Sequence, residues 1–246
     1  MGQHPPEVAE FVRSVNQSGG AYHRIDFGDG LVLEGEHDMT RYLPHYGIDE
    51  DLSGMTALDV GTAAGFFAVE LARRGAEVTA IDLWDGSFQR MVFRAAGVDV
   101  RYIQVDLFDL DETFGRFDLV FCGSVLIHTW DQFTAIRRLR AVCGGQAIIA
   151  TTVIPARFHR KPLAAFTGGR GEGVDGREYW TTWEPNAPAL VEMAKKAGFE
   201  DVHYRGWFWL AGDPPVRHGV LHAWPVTMPR ARPRRRLSFR SRMRKP

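Results

Sequence analysis

Cysteine is scarce in this chain: Cys122 and Cys143 are the only two, and no C-x-x-C spacing occurs. That argues against a disulfide scaffold or a cysteine zinc site and fits a reducing, cytoplasmic compartment. Long apolar runs are missing too; none approaches the roughly 20 residues that a membrane-spanning helix needs. The start, MGQHPPEVAEF, has neither the basic nor the apolar region of a secretory signal, and Pro6 stands where a myristoylation signal has Ser or Thr. No paired-carboxylate motif calls for a metal. Acidic residues are absent from one end: from Pro229 onward there are nine Lys or Arg and no acid, while the preceding chain carries 21 basic and 30 acidic residues. An acidic body therefore bears a basic tail.

What is present is a chain of 246 residues, 45% apolar, enough for one α/β domain with additions. Its organising stretch is Ala57 to Asp82, ALDVGTAAGFFAVELARRGAEVTAID. Ala57 to Val60 reads as a buried strand entering a glycine turn, Gly61 to Gly65. Phe66 to Arg74 has helical apolar spacing, Gly75 offers a C-cap, and Glu77 to Ile81 is a second strand ending on Asp82. Glycines at a strand-to-helix turn let backbone approach a ligand, the helix start offers free N–H groups, and a strand-end carboxylate can accept from both ribose hydroxyls. This is the layout of a nucleoside site. The glycines run G-x-x-x-G with Ala63 in the middle, a poor match to the G-x-G-x-x-G of a dinucleotide pyrophosphate site.

Further units follow in alternation. Gly86 to Ala96 reads as a helix with Phe88, Met91, Val92 and Ala95 inward, and Val100 to Val105 as a strand before Asp106. Phe117 to Val125 is another buried strand, and Asp131 to Val142 a helix with Phe133, Ile136, Leu139 and Val142 inward. Gly144-Gly145 reads as a turn into the strand Gln146 to Ile154. The segment 155–183 breaks the pattern and is expected to be a lid over the cleft, with Tyr179, Trp180 and Trp183 covering the substrate or simply packing on the helix Glu184 to Ala197. Val202 to Leu210 and Gly219 to Trp224 are the last strands, an antiparallel pair joined at Gly212 to Pro215. Ahead of the core, Glu7 to Asn16 reads as a helix. Ile25, Phe27, Leu31 and Leu33 alternate around Gly28-Asp29-Gly30 as a hairpin, and Met39 to Tyr46 is a second helical piece. The expected fold is a doubly wound, seven-stranded, mostly parallel sheet with an N-terminal cap at 1–50, a nucleoside-binding domain at 51–226 and a basic, disordered tail at 227–246.

Asp59, Gly61 and Gly65 match the acidic-x-G-x-x-x-G motif of class I S-adenosylmethionine (SAM) methyltransferases, and Asp82 matches the acid that holds the ribose in that family, so the chain resembles it. The resemblance implies SAM as cofactor. Asp82 would hold its ribose, Asp106 and Leu107 would face its adenine, and Thr62, Phe66, Leu83 and Ser124 would belong to the cofactor site. Asp59 would meet its ammonium through water or backbone. LIHTWDQF resembles the fourth motif of the family and makes His128 the candidate for contacting the acceptor or taking its proton, or else a loop histidine that shapes the pocket. A narrower likeness joins His23, Ile25, Asp26, Gly28, Asp29, Gly30 and Gly35 to relatives of the bacterial tRNA wobble-uridine carboxymethyltransferase of the oxyacetate pathway, as do Trp183, Asn186, Leu190 and Ala197-Gly198-Phe199. His23 is then either a substrate contact or part of a polar hairpin. No Lys or Arg sits where the extra carboxylate of a carboxylated cofactor would go, so ordinary SAM is expected. Three functions remain: methyl transfer to a small-molecule hydroxyl, modification of tRNA with the Arg-rich tail on RNA, and a silent cofactor-binding protein.

Overall fold

The computed structural model describes residues 4–155, 161–166, 183–212 and 215–226. The chain opens with α1 (Pro6–Gln17), then β1 (Ala21–His23), β2 (Ile25–Asp26), β3 (Val32–Leu33), β4 (Gly35–His37), a 3-10 turn at Thr40–Tyr42 and the single-turn α2 (Leu43–Tyr46). The alternating units are β5 (Thr56–Val60), α3 (Phe66–Arg73), β6 (Glu77–Asp82), α4 (Ser87–Ala96), β7 (Val100–Gln104), β8 (Phe117–Gly123), α5 (Gln132–Val142) and β9 (Cys143–Thr152). Short β10 (Ala164–Phe166) and β11 (Trp183–Pro185) precede α6 (Ala187–Lys196), and β12 (Asp201–Leu210) and β13 (Val216–Trp224) complete the series.

Seven strands form one sheet in the order β12-β13-β9-β8-β5-β6-β7. The run from β9 to β7 is parallel, and β13 lies antiparallel between β9 and β12. This is the α/β, Rossmann-like architecture expected of the sequence. Its strands are apolar on both faces because both are covered. On one face Ala57, Val78, Leu119, Phe121, Ile148 and Val220 pack with α3, α4 and the N-terminal segment. On the other, Leu58, Ile81, Val120, Ile149 and Leu221 pack with α5 and α6. A fully buried leucine such as Leu58 or Leu119 contributes about 2–3 kcal/mol.

Several boundaries differ from the sequence reading. Gly144 and Gly145 are not a turn but lie inside β9; a Cβ on Gly145 would fall 2.3 Å from the Asp118 carbonyl oxygen, so glycine is what lets the two strands approach there. The helix expected from Glu184 begins at Ala187, because Glu184 and Pro185 pair with β10 and Asn186 caps the helix by accepting from the Ala189 amide at 2.9 Å. The strand expected from Gly219 starts at Val216, which brings His218 into the sheet. Phe133, expected inward, is exposed. The hairpin is present as β2 and β3, but β1 and β4 add a parallel pair that local pattern did not show. Most of the expected lid, Tyr179 and Trp180 within it, and the tail 227–246 lie outside the described residues. Among the described residues no helix is long and apolar enough to cross a membrane.

Candidate active site

The turn after β5 is held in left-handed backbone at three residues, Gly61 (φ 69°), Ala63 (φ 48°) and Gly65 (φ 91°). At Gly61 a side chain is also excluded by space, since its Cβ would lie 2.4 Å from Val125 Cγ2 in the turn that follows β8. Ala63 is the strained member, and three contacts hold the turn around it. Its amide donates to Asp82 Oδ2 at 2.8 Å, Gln89 Nε2 of α4 donates to its carbonyl at 2.6 Å, and the Gly65 amide donates to the Thr62 carbonyl at 2.8 Å. Gly65, the N-cap of α3, has no side chain to cap the helix start, and the Ala68 amide of its first turn faces the Asp59 carboxyl. Beneath, Asp59 and Thr62 are buried, with Asp59 Oδ2 and Thr62 Oγ1 unpartnered. Burial pushes the Asp59 carboxyl up to about 7, against the pull of the nearby Thr62 hydroxyl, with Asp82 adding to the rise.

Asp82 ends β6. Its second oxygen, Oδ1, accepts from the Leu83 amide at 2.7 Å. Burial raises its pKa while the Ala63 and Leu83 amides lower it. Beside it Leu83 and Trp84 stand exposed at 55% and 40%, and their backbone is fixed from β7: Gln104 Nε2 donates to the Leu83 carbonyl and the Tyr102 hydroxyl to the Trp84 carbonyl, both at 2.8 Å. Two large apolar side chains are thus partly exposed beside a carboxylate. Asp106 follows β7; its Oδ1 accepts from the Phe108 amide at 2.9 Å and caps the 3-10 turn Leu107–Asp109. The Leu107 side chain is buried in the core with Leu110 and Ile81.

The turn after β8 carries Ser124 in left-handed backbone, φ 67°, with its amide donating to the Ala150 carbonyl at 2.8 Å. Ser124 Oγ lies 2.7 Å from Nε2 of His218, a histidine buried on β13. His128 ends the 3-10 turn Leu126–His128. Its residue surface is exposed, yet enough protein surrounds the imidazole to hold its pKa below the ordinary value. Gln132 Nε2 bridges the carbonyls of Leu126 (3.0 Å) and Trp183 (2.8 Å), which brings Trp183 beside this turn. The Trp183 ring packs on Phe166, with ring centroids 4.9 Å apart.

The structure thus gathers Asp59, Gly61, Thr62, Gly65, Phe66, Asp82 and Leu83 at adjoining strand ends. Asp106 lies one strand further out, and Ser124 and His128 lie across the glycine turn. His23 does not join them in the open. It is 6% exposed and packs against Phe66 and Phe67, and burial pushes its pKa to about 3. The expectation of a substrate contact there is corrected to that of a packed histidine between cap and sheet. Sequence reasoning missed Gln89, Gln104, Tyr102 and His218. A polar residue on the inward face of an otherwise amphipathic helix was the available signal for Gln89, and a histidine in an apolar strand was the signal for His218.

Residues 57–144 match a family model described as a methyltransferase domain. The chain is 36% identical over 111 residues to the ubiquinone biosynthesis O-methyltransferase of Pseudomonas paraeruginosa, covering 42% of this chain and 48% of that one, so it spans about half the length of that relative. Among solved structures, the N-terminal domain of EvdMO1 with S-adenosylhomocysteine (SAH) bound superposes with TM-score 0.70 at 17% identity, over 91% of this chain and 99% of that one. Burkholderia thailandensis 1,6-didemethyltoxoflavin-N1-methyltransferase superposes at 0.56 and 18% identity, over 91% and 92%. At such identities these structures speak for the fold alone. An uncharacterized methyltransferase of Mycobacterium tuberculosis is 32% identical over 143 residues, 56% of this chain and 69% of that one. Together with the glycine turn and the seven-stranded sheet, that match shows that the chain belongs to the class I SAM-dependent methyltransferases.

Proposed function

We propose that the protein transfers a methyl group from SAM to a hydroxyl, or another nucleophile, of a small-molecule acceptor of the secondary-metabolite kind. The carrying observation is the latch between Asp82 and the strained turn, beside exposed Leu83. A carboxylate has about four lone-pair directions. Two are used on backbone amides, and the others remain for ribose hydroxyls. The buried Asp59 carboxyl beneath the turn, beside the Thr62 hydroxyl, fits a bound ammonium reached through water.

When bound, the cofactor supplies an electrophilic methyl on a sulfonium. The chain does the rest. Asp82 fixes the ribose, Asp106 accepts from the exocyclic amine with the oxygen not used by Phe108, and Leu83 offers an apolar face. Leu107 contributes through its backbone and through the core beneath, since its side chain is buried. Gly61, Gly65 and Phe66 present backbone to the amino-acid arm. Alignment and water exclusion provide most of the rate. The lowered pKa of His128 leaves a neutral imidazole near pH 7, able to take the proton that a hydroxyl loses. Trp183, held beside that turn through Gln132, is read as an acceptor contact, and the N-terminal segment 1–50 as the cap.

The similarity to a ubiquinone biosynthesis O-methyltransferase supports a small acceptor. The tRNA wobble-uridine reading rests on the His23 to Gly35 motif and the basic tail. The motif has a local account: Asp26 Oδ1 accepts from the Gly28 amide at 2.9 Å, and a Cβ on Gly35 would fall 2.3 Å from the His23 carbonyl carbon. The acidic body also offers little attraction to RNA. Purified protein would be incubated with methyl-labelled SAM, once with a small-molecule extract of its source cells and once with bulk tRNA. Label in the small-molecule fraction alone is expected; label in tRNA would reverse the choice of acceptor.

A further inference from the structure

Ser124 and His218 form a pair whose cost to the fold exceeds its return. A serine in left-handed backbone is strained, and His218 is completely buried with Nδ1 unpartnered. Burial also depresses its pKa, so the ring is neutral in the working pH range. A glycine at 124 and an apolar residue at 218 would remove both penalties and lose one hydrogen bond. Strain and orphaned polar atoms of this kind collect where a ligand completes the arrangement.

The place of the pair identifies the ligand group. Asp106, Asp82 and the glycine turn follow β7, β6 and β5, which are neighbours, and β8 is next. At roughly 4.8 Å per strand, β8 lies about 10 Å beyond β6. An adenosine laid over β7 and β6 therefore directs its amino-acid arm to the end of β8. Val125 confirms the proximity, since its side chain touches the space above Gly61. The tautomer follows from the orphaned nitrogen. A buried N–H without an acceptor is rarer than an unpartnered acceptor, so Nε2 carries the proton and donates to Ser124 Oγ. The serine proton is then free to be donated outward.

We propose that Ser124 donates a hydrogen bond to the carboxylate of the methionyl arm of SAM, and that His218 is the positioning residue that aims it. The proposal rests on the cofactor reading above and deepens it. It brings to the cofactor site a residue from β13, across β9 from the turn that carries Ser124.

Calorimetric binding of SAM and of decarboxylated SAM, which keeps the ammonium and lacks only the carboxylate, tests it without any acceptor. Ser124→Ala should weaken SAM by about tenfold or more, as expected for a hydrogen bond to a charged group, and decarboxylated SAM by less than about twofold. His218→Leu should repeat that pattern, and His218→Gln, which keeps a donor, should recover most of the SAM affinity. Ser124→Gly should lose the same affinity while its thermal midpoint holds or rises, because the strain is relieved. Equal weakening of both ligands, or no weakening of either, overturns the proposal; in the first case the pair serves only the fold. If His218→Leu fails to fold, the two Ser124 variants decide alone. A wild-type protein that binds neither ligand refutes the cofactor reading itself, an outcome distinct from selective failure of the pair.

Discussion

Replacing Asp82 with alanine removes the acceptor for two amides at once, Ala63 at 2.8 Å and Leu83 at 2.7 Å. Hydrogen bonds to a charged acceptor are worth about 1.5–3 kcal/mol each, but Asp82 is only half-buried and its carboxyl already bears a desolvation cost that raises its pKa. Discounted for that, the fold should lose about 1–3 kcal/mol, read as a lower urea midpoint. The effect on the cofactor should be larger. The Ala63 turn relaxes from its left-handed conformation, and the ribose loses its acceptor. Two charged hydrogen bonds lost from the complex predict an affinity for SAH lower by roughly 10²–10⁴-fold. The two causes separate with a second ligand: a 2′,3′-dideoxyribose analogue of SAH should bind the wild type weakly and the Asp82→Ala variant no worse than SAH does. Unchanged SAH affinity in the variant, with the protein folded, would refute the assignment of Asp82.

Four further outcomes are expected. His128→Ala should lower turnover by about 10²–10⁴-fold with SAM affinity retained, the range for loss of a general base; full activity would leave His128 as a bystander. Gly35→Ala places a Cβ 2.3 Å from the His23 carbonyl carbon and should cost more than about 2 kcal/mol in chemical denaturation. Gly61→Ala combines positive φ with a Cβ 2.4 Å from Val125 Cγ2, so SAH binding and stability should both fall. Stability should also fall in mild acid. His218 and His222 are each held near 4 and His23 near 3, against 6.5 when unfolded, so the unfolded chain binds more protons between roughly pH 4 and 6.5 and stability is lost as pH drops through that window. Asp59, raised to about 7, works in the opposite sense above its ordinary 3.8 and offsets about one histidine. The urea midpoint should therefore decline steeply from pH 7 to pH 5; a flat profile would contradict the burial of these imidazoles.

The core units were legible because their chemistry is local. Ala57 to Val60, the glycine turn and the strand ending on Asp82 announce themselves by apolar runs and by residues that only a turn requires. The parts that escaped depend on distant partners. β1 pairs parallel with β4, so neither strand shows a hairpin signal. Gly144-Gly145 looks like a turn until the Asp118 carbonyl is brought against it. His23 reads as a surface polar residue in its own hairpin; its burial is decided by Phe66 and Phe67, more than forty positions later. Asp106 reads in sequence as an adenine contact, and the structure shows one of its oxygens already spent on capping.

The position of β13 has a bearing on synthesis. Among the described strands it is the last in sequence, yet it lies inside the sheet between β9 and β12, and it delivers His218 to the turn at Ser124 and His222 to the Tyr46 carbonyl, 2.7 Å away. On a ribosome, N-terminal parts fold first. The glycine turn, Asp82 and Asp106 can assemble while β9 still ends the sheet with an open edge. Only when β13 slides in are the turn at Ser124 and the N-terminal segment at Tyr46 fastened to the same strand. A nascent chain halted before β13 would present a nucleoside cradle beside an unpaired, apolar β9 edge, the form of this protein most exposed to pairing with another chain.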